Sequence, residues 1–107
     1  ICTGSVPQGS QIKFSLPPDF DAIETVVSEC ESIKDNAQQQ ADALIMFSCV
    51  SRHLSFGALM KEEIEQVQKV WNAPMVGFFT YGEYGKSKIG NNEFHNNACC
   101  VVALKEK

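Results

Sequence analysis

Long apolar runs are missing from this chain. The longest, Ala98 to Leu104, has the length of a strand and falls well short of the roughly 18 residues that span a bilayer. Basic side chains are also scarce: 9 Lys and Arg stand against 13 Asp and Glu, a formal charge of −4, so the electrostatic footprint of a nucleic-acid binder is absent. Metal-ligand spacing is missing too, because no Cys-x-x-Cys occurs and the two histidines, His53 and His95, are far apart. Gly82, Gly85 and Gly90 lack the spacing of a phosphate-binding loop. No charged n-region and apolar h-region open the chain, so nothing reads as a signal peptide. Five cysteines, an odd number with Cys99 and Cys100 adjacent, do not form a disulfide framework. They point to reduced thiols and a cytoplasmic protein without membrane or nucleic-acid partners.

What is present is the balance of one globular domain, 107 residues with 44% hydrophobic and 21% charged. A chain of this size buries roughly 65% of its unfolded surface, enough for one modest core. Pro7, Gly9 and Ser10 make the opening a loop, expected as a linker (1–10) from an N-terminal segment outside this chain. Gln11–Leu16 alternates polar and apolar residues with period two, the pattern of a half-buried strand ended by Pro17-Pro18. Asp19 or Asp21 can cap a helix whose apolar stripe is Phe20, Ile23, Val27, Cys30, Ile33 and Ala37. Ala43–Phe47 is a continuous apolar run of the kind found in strands buried on both faces.

After Gly57 a second helical stripe follows, Met60, Ile64, Val67 and Trp71, stopped by Asn72-Ala73-Pro74. Met75–Phe79 reads as another buried strand, then a glycine-punctuated loop leads to a last strand over Ala98–Leu104. The order strand-helix-strand-helix-strand-strand predicts an α/β fold, with α+β as the alternative. Its mixed sheet has about four strands and two helices: helical crossovers imply parallel pairing, and the helix-free final loop implies an antiparallel return.

Strands paired in parallel bring their carboxyl ends together, and open sheets of this kind place ligand crevices there. Cys49, Ser51 and Arg52 close one apolar run; Thr80, Tyr81, Gly82 and Glu83 close the other. Three stretches taken in order, Ala41–Arg52, Pro74–Glu83 and Phe94-His95-Asn96-Asn97, resemble the FIST C-terminal domain, named for F-box and intracellular signal transduction proteins. The resemblance runs from about Gln11 to the chain end (11–104 as the domain). It departs from the family pattern at Tyr84, where an aliphatic residue is common, and at Asn97-Ala98, where Gln-Thr is common. It implies a sensory module that binds a small ligand such as an amino acid, with a FIST N-terminal domain upstream and signalling output domains or proteins as partners.

The residues expected to line such a site are Cys49, Arg52, Tyr81, Gly82, Glu83, Phe94, His95 and Asn96. Arg52 is either a carboxylate receptor or a charge paired with an acidic neighbour. Glu83 either faces a ligand ammonium or is solvated in a turn. Cys49, near Arg52 and His53, is expected to be the most reactive cysteine without being catalytic, against the plainer reading of a small buried side chain. His95, Asn96 and Asn97 can equally be turn residues bonding nearby backbone. A protein-interaction or scaffold module is the first alternative function, and a Cys49–His95–Glu83 enzyme the second. No cofactor is expected.

Overall fold

The side chain of Asp19 accepts a hydrogen bond from the Asp21 amide at 3.1 Å and starts α1 (Phe20–Ala37). Gln38 ends that helix with a left-handed backbone, its N–H reaching back to the carbonyls of Lys34 and Asp35. There follow β1 (Ala43–Cys49), α2 (Val50–Phe56), α3 (Leu59–Trp71), β2 (Met75–Thr80), β3 (Glu83–Lys86), β4 (Asn92–His95) and β5 (Cys99–Leu104). The structure, a computed structural model, describes residues 5–14, 16, 19–38, 40–86 and 91–106. No helix among them is long and apolar enough to cross a membrane.

β1 is the middle of a three-stranded sheet in the order β2-β1-β5, parallel to β2 and antiparallel to β5. The expected mixed sheet and α/β class are therefore present. The helices cover one face. Ile23 of α1, Met46 of β1, Phe56 of α2 and Met60 of α3 form one buried cluster; Leu44, Trp71 and Ala73 form a second. Burying a side chain such as Leu44 stabilises the fold by about 1.5–3 kcal/mol.

Four expectations need correction. Gln11–Leu16 is not a strand in its described residues, 11–14 and 16; Ser15, Pro17 and Pro18 lie outside the described residues. The described residues of this stretch join neither sheet, and Ile12, Phe14 and Leu16 are 70%, 100% and 89% exposed. Period-two alternation makes a strand only where a ladder partner exists. The helix expected after Gly57 is present as α3, but a further short helix, α2, precedes it: α2 starts directly after β1, and Gly57 closes it with a φ of 52°. α2 has only seven residues, too few to show a period.

The third correction concerns burial. β2 is a strand but not a buried one: Val76, Phe78 and Phe79 are 69%, 62% and 42% exposed, because β2 is an edge strand and no described helix covers the sheet's other face. β1 alternates buried and half-buried residues for the same reason. Finally, the expected loop after Thr80 contains the antiparallel pair β3–β4, with Glu83 opposite His95 and Tyr84 opposite Phe94.

Candidate functional site

The parallel pairing of β1 with β2 ends at Cys49 opposite Thr80, so the two carboxyl ends are neighbours. Two polar clusters grow from them, one on each side of the sheet.

On the helix side Arg52, in the first turn of α2, turns inward to Glu63 of α3. The two form a buried salt bridge, with Nη2 donating to Oε1 and Nε to Oε2 at 3.4 Å. Arg52 also donates through Nη1 to the Asn97 carbonyl at 3.2 Å, and its guanidinium lies 4.8 Å from the centre of the Phe56 ring. Asn97 has a left-handed φ of 59°, and its Oδ1 accepts from Ser51 Oγ at 3.1 Å. Cys49 Sγ lies 3.0 Å from Ser51 Oγ and 3.7 Å from Asn96 Oδ1. This network ties the β4–β5 turn to the start of α2. Cys49 is 1% exposed, so the thiol expected as an open crevice wall is enclosed. Arg52 is paired with an acidic neighbour, the second of its two readings.

On the open side Glu83 is 3% exposed although it begins a short hairpin strand. One carboxylate oxygen accepts from the Thr80 hydroxyl, and the other, Oε2, has no hydrogen-bond partner among the described residues. Glu83 lines a cavity of about 210 Å³ with Phe47, Thr80, Gly82, Tyr84 and Cys100. The Phe94 ring lies directly over Gly82, so that a Cβ there would come within 2.3 Å of Phe94 Cε2 and displace the ring. Phe94 in turn stacks edge-on with Tyr84, ring centres 5.2 Å apart. His95 Nε2 is 3.1 Å from the Gly85 carbonyl and pins the hairpin rather than meeting Cys49. The Tyr81 side chain points into solvent at 88% exposure.

Cys99 and Cys100 report the division. Cys99 stands opposite Ser48 and Cys100 opposite Phe47, and successive strand side chains face opposite sides. The Cys99 thiol is pushed far up by burial and then by the charge of Glu63, partly offset by Arg52. The Cys100 thiol is raised by burial and then by Glu83. The Cys30 thiol on α1 is raised by burial and then by the charge of Glu63. The four described cysteines, Cys30, Cys49, Cys99 and Cys100, are free; Cys2 lies outside the described residues.

Of the eight expected site residues, the structure gathers Gly82 and Glu83 at the cavity, with Phe94, outside its lining, packed on Gly82 and Tyr84, and Cys49, Arg52 and Asn96 in a separate network. Tyr81 and His95 belong to neither lining. Thr80, Glu63 and Asn97 carry interactions that sequence reasoning did not assign them. For Glu63 the signal was present, since it sits three residues after Met60 and four before Val67 on the apolar stripe of α3. An acid at that position calls for a buried cation. Among the described residues no group of three or more His, Cys, Asp or Glu could hold a metal ion.

A family model described as the FIST C domain matches residues 1–86, which takes in β1, both helices after it, β2 and β3. The Phe94–Asn97 stretch lies beyond the matched residues. No curated protein and no solved structure matches the chain.

Proposed function

The chain belongs to the FIST C domain family, which is associated with signal transduction, and from that premise we propose that it is a sensory domain binding a small polar metabolite. In this reading the domain does no chemistry of its own and passes its bound state to signalling partners. The observation that carries it is the cavity at the carboxyl ends of β1 and β2, with a buried Glu83 carboxylate oxygen left without a partner. A buried, half-satisfied carboxylate costs the fold several kcal/mol, of order 3 or more, and sites that keep such a cost are those where a ligand supplies the missing partner. Absence of catalysis is supported by the occupied hydrogen bonds of the candidate nucleophile and base: Cys49 meets Ser51 and Asn96, and His95 meets the Gly85 carbonyl.

A second reading, a protein-interaction module, is favoured by the uncovered sheet face, where Val76, Phe78, Val102 and Leu104 are 69%, 62%, 42% and 44% exposed. Thermal unfolding of the chain against a library of amino acids, amines, organic acids and nucleosides separates the two. A ligand at 100 times its Kd stabilises by about 2.7 kcal/mol and raises the Tm. A melting temperature unmoved by every library member rejects the sensor and leaves the interaction module.

A further inference from the structure

Building on the sensor reading, we infer that the Thr80–Glu83 cavity takes an organic ammonium ion, a primary amine in its protonated form, and not a zwitterionic amino acid. Three observations converge on this. Glu83 Oε2 is buried without a partner among the described residues, beside a Thr80 hydroxyl that already satisfies the other oxygen. An ammonium group brings both the missing donor and the compensating charge, whereas a neutral hydroxyl would bring only the donor. The remaining walls include the rings of Phe47 and Tyr84, whose faces attract cations, in a space of about 210 Å³.

The third observation excludes the amino acid. A zwitterion needs a cation for its carboxylate, and among the described residues no basic side chain lines the cavity. Arg52, the side chain that would have served, is buried against Glu63 on the other side of the sheet. Withdrawing it would leave Glu63, which is fully buried, as an unpaired charge. A carboxylate brought beside Glu83 would instead meet a like charge. A divalent metal is an equally poor occupant, since it wants several oxygen ligands and Glu83 offers one free oxygen.

The test uses two matched probe sets on the full chain, followed by two-dimensional amide NMR. One set is phenethylamine, phenylalanine and 3-phenylpropionate; the other is butylamine, norvaline and pentanoate. Within each set only the charged groups differ. The expected result is that at least one amine moves the amide signals of Thr80–Tyr84 and Cys100 while the amino acid and acid of its set do not. Glu83→Gln should weaken that binding about tenfold or more. Tyr84→Ala, at a ring that is mostly exposed and so removable without unfolding, should weaken it about threefold. Binding of an amino acid or acid at those residues as tightly as its amine overturns the inference while the sensor reading stands. Amine binding unchanged in both variants overturns it as well, as does a library ligand of another class when both amines fail. Silence from every probe and every library member removes the sensor reading and this inference with it.

Discussion

Glu63 and Glu83 are both buried carboxylates, one on each side of the same sheet, and their surroundings differ in one respect. Glu63 is 0% exposed and has Arg52 against both of its oxygens. Glu83 is 3% exposed and has the Thr80 hydroxyl on one oxygen and, among the described residues, nothing on the other. A charge whose partner is built in belongs to the architecture, and Glu63 joins α3 to the start of α2 and, through Arg52, to the Asn97 turn. A charge whose partner is missing is open to a ligand. The burial of an acid is therefore less informative than the inventory of what meets each of its oxygens.

The largest expected effect comes from breaking the compensated pair. Glu63→Ala should destabilise the chain by about 3–5 kcal/mol in urea unfolding, because it strands the Arg52 guanidinium in the core. Glu83→Gln should instead raise stability, by about 1–3 kcal/mol, since it removes an uncompensated buried charge and keeps an acceptor for Thr80. Equal losses for the two variants would break the distinction between them.

A smaller contrast separates the two faces of the sheet. Leu44→Ala on the helix side should cost about 2–5 kcal/mol by leaving a cavity beside Trp71 and Ala73. Val76→Thr, at a residue 69% exposed on the open side, should stay within about 0.5 kcal/mol if that face is wet in the isolated chain. A Val76→Thr loss approaching that of Leu44→Ala would mean that the open face is covered in solution.

The smallest effect is in the alkaline limb of stability. Cys30, Cys99 and Cys100 all have folded-state values raised above the ordinary thiol value of 9.0. Groups raised in this way keep their protons in the fold while the unfolded chain loses them, so stability is level below pH 9.0 and falls as pH rises past it. Cys99 is the more deeply enclosed of the adjacent pair, so Cys99→Ala should flatten that decline more than Cys100→Ala. Unfolding measured between pH 8 and 10.5 in about half-unit steps tests the order, and a steeper contribution from Cys100 would reverse the assignment of faces.

Much of the fold was legible from local pattern. The stripe from Phe20 to Ala37 gives α1 because residues three and four apart share a helix face, and Asp19 and Asn72 mark helix ends by their own chemistry. The apolar runs at β1 and β2 mark strands, and the helical connection between them fixes parallel pairing. Gln11–Leu16 misleads for the same reason the others inform: its alternation is as regular, but a strand also needs a ladder partner, and the described residues of this stretch have none. In the site, Glu83 and Gly82 were legible at a strand's carboxyl end, while Arg52 was legible only as a choice between two readings.

What the sequence determined by itself was therefore the strongly periodic part: α1, β1, α3, β2 and β5, their order, and the meeting of the Cys49 and Thr80 ends. Tertiary structure decided which acid meets the one buried arginine, which oxygen of Glu83 stays open, and which side of the sheet each of Cys99 and Cys100 faces. Helical and strand periods are set by backbone geometry over a few residues, so they can be read locally. A salt bridge between residues 52 and 63, or a ring at 94 resting on a glycine at 82, depends on where the chain returns in space, and no local period carries that distance.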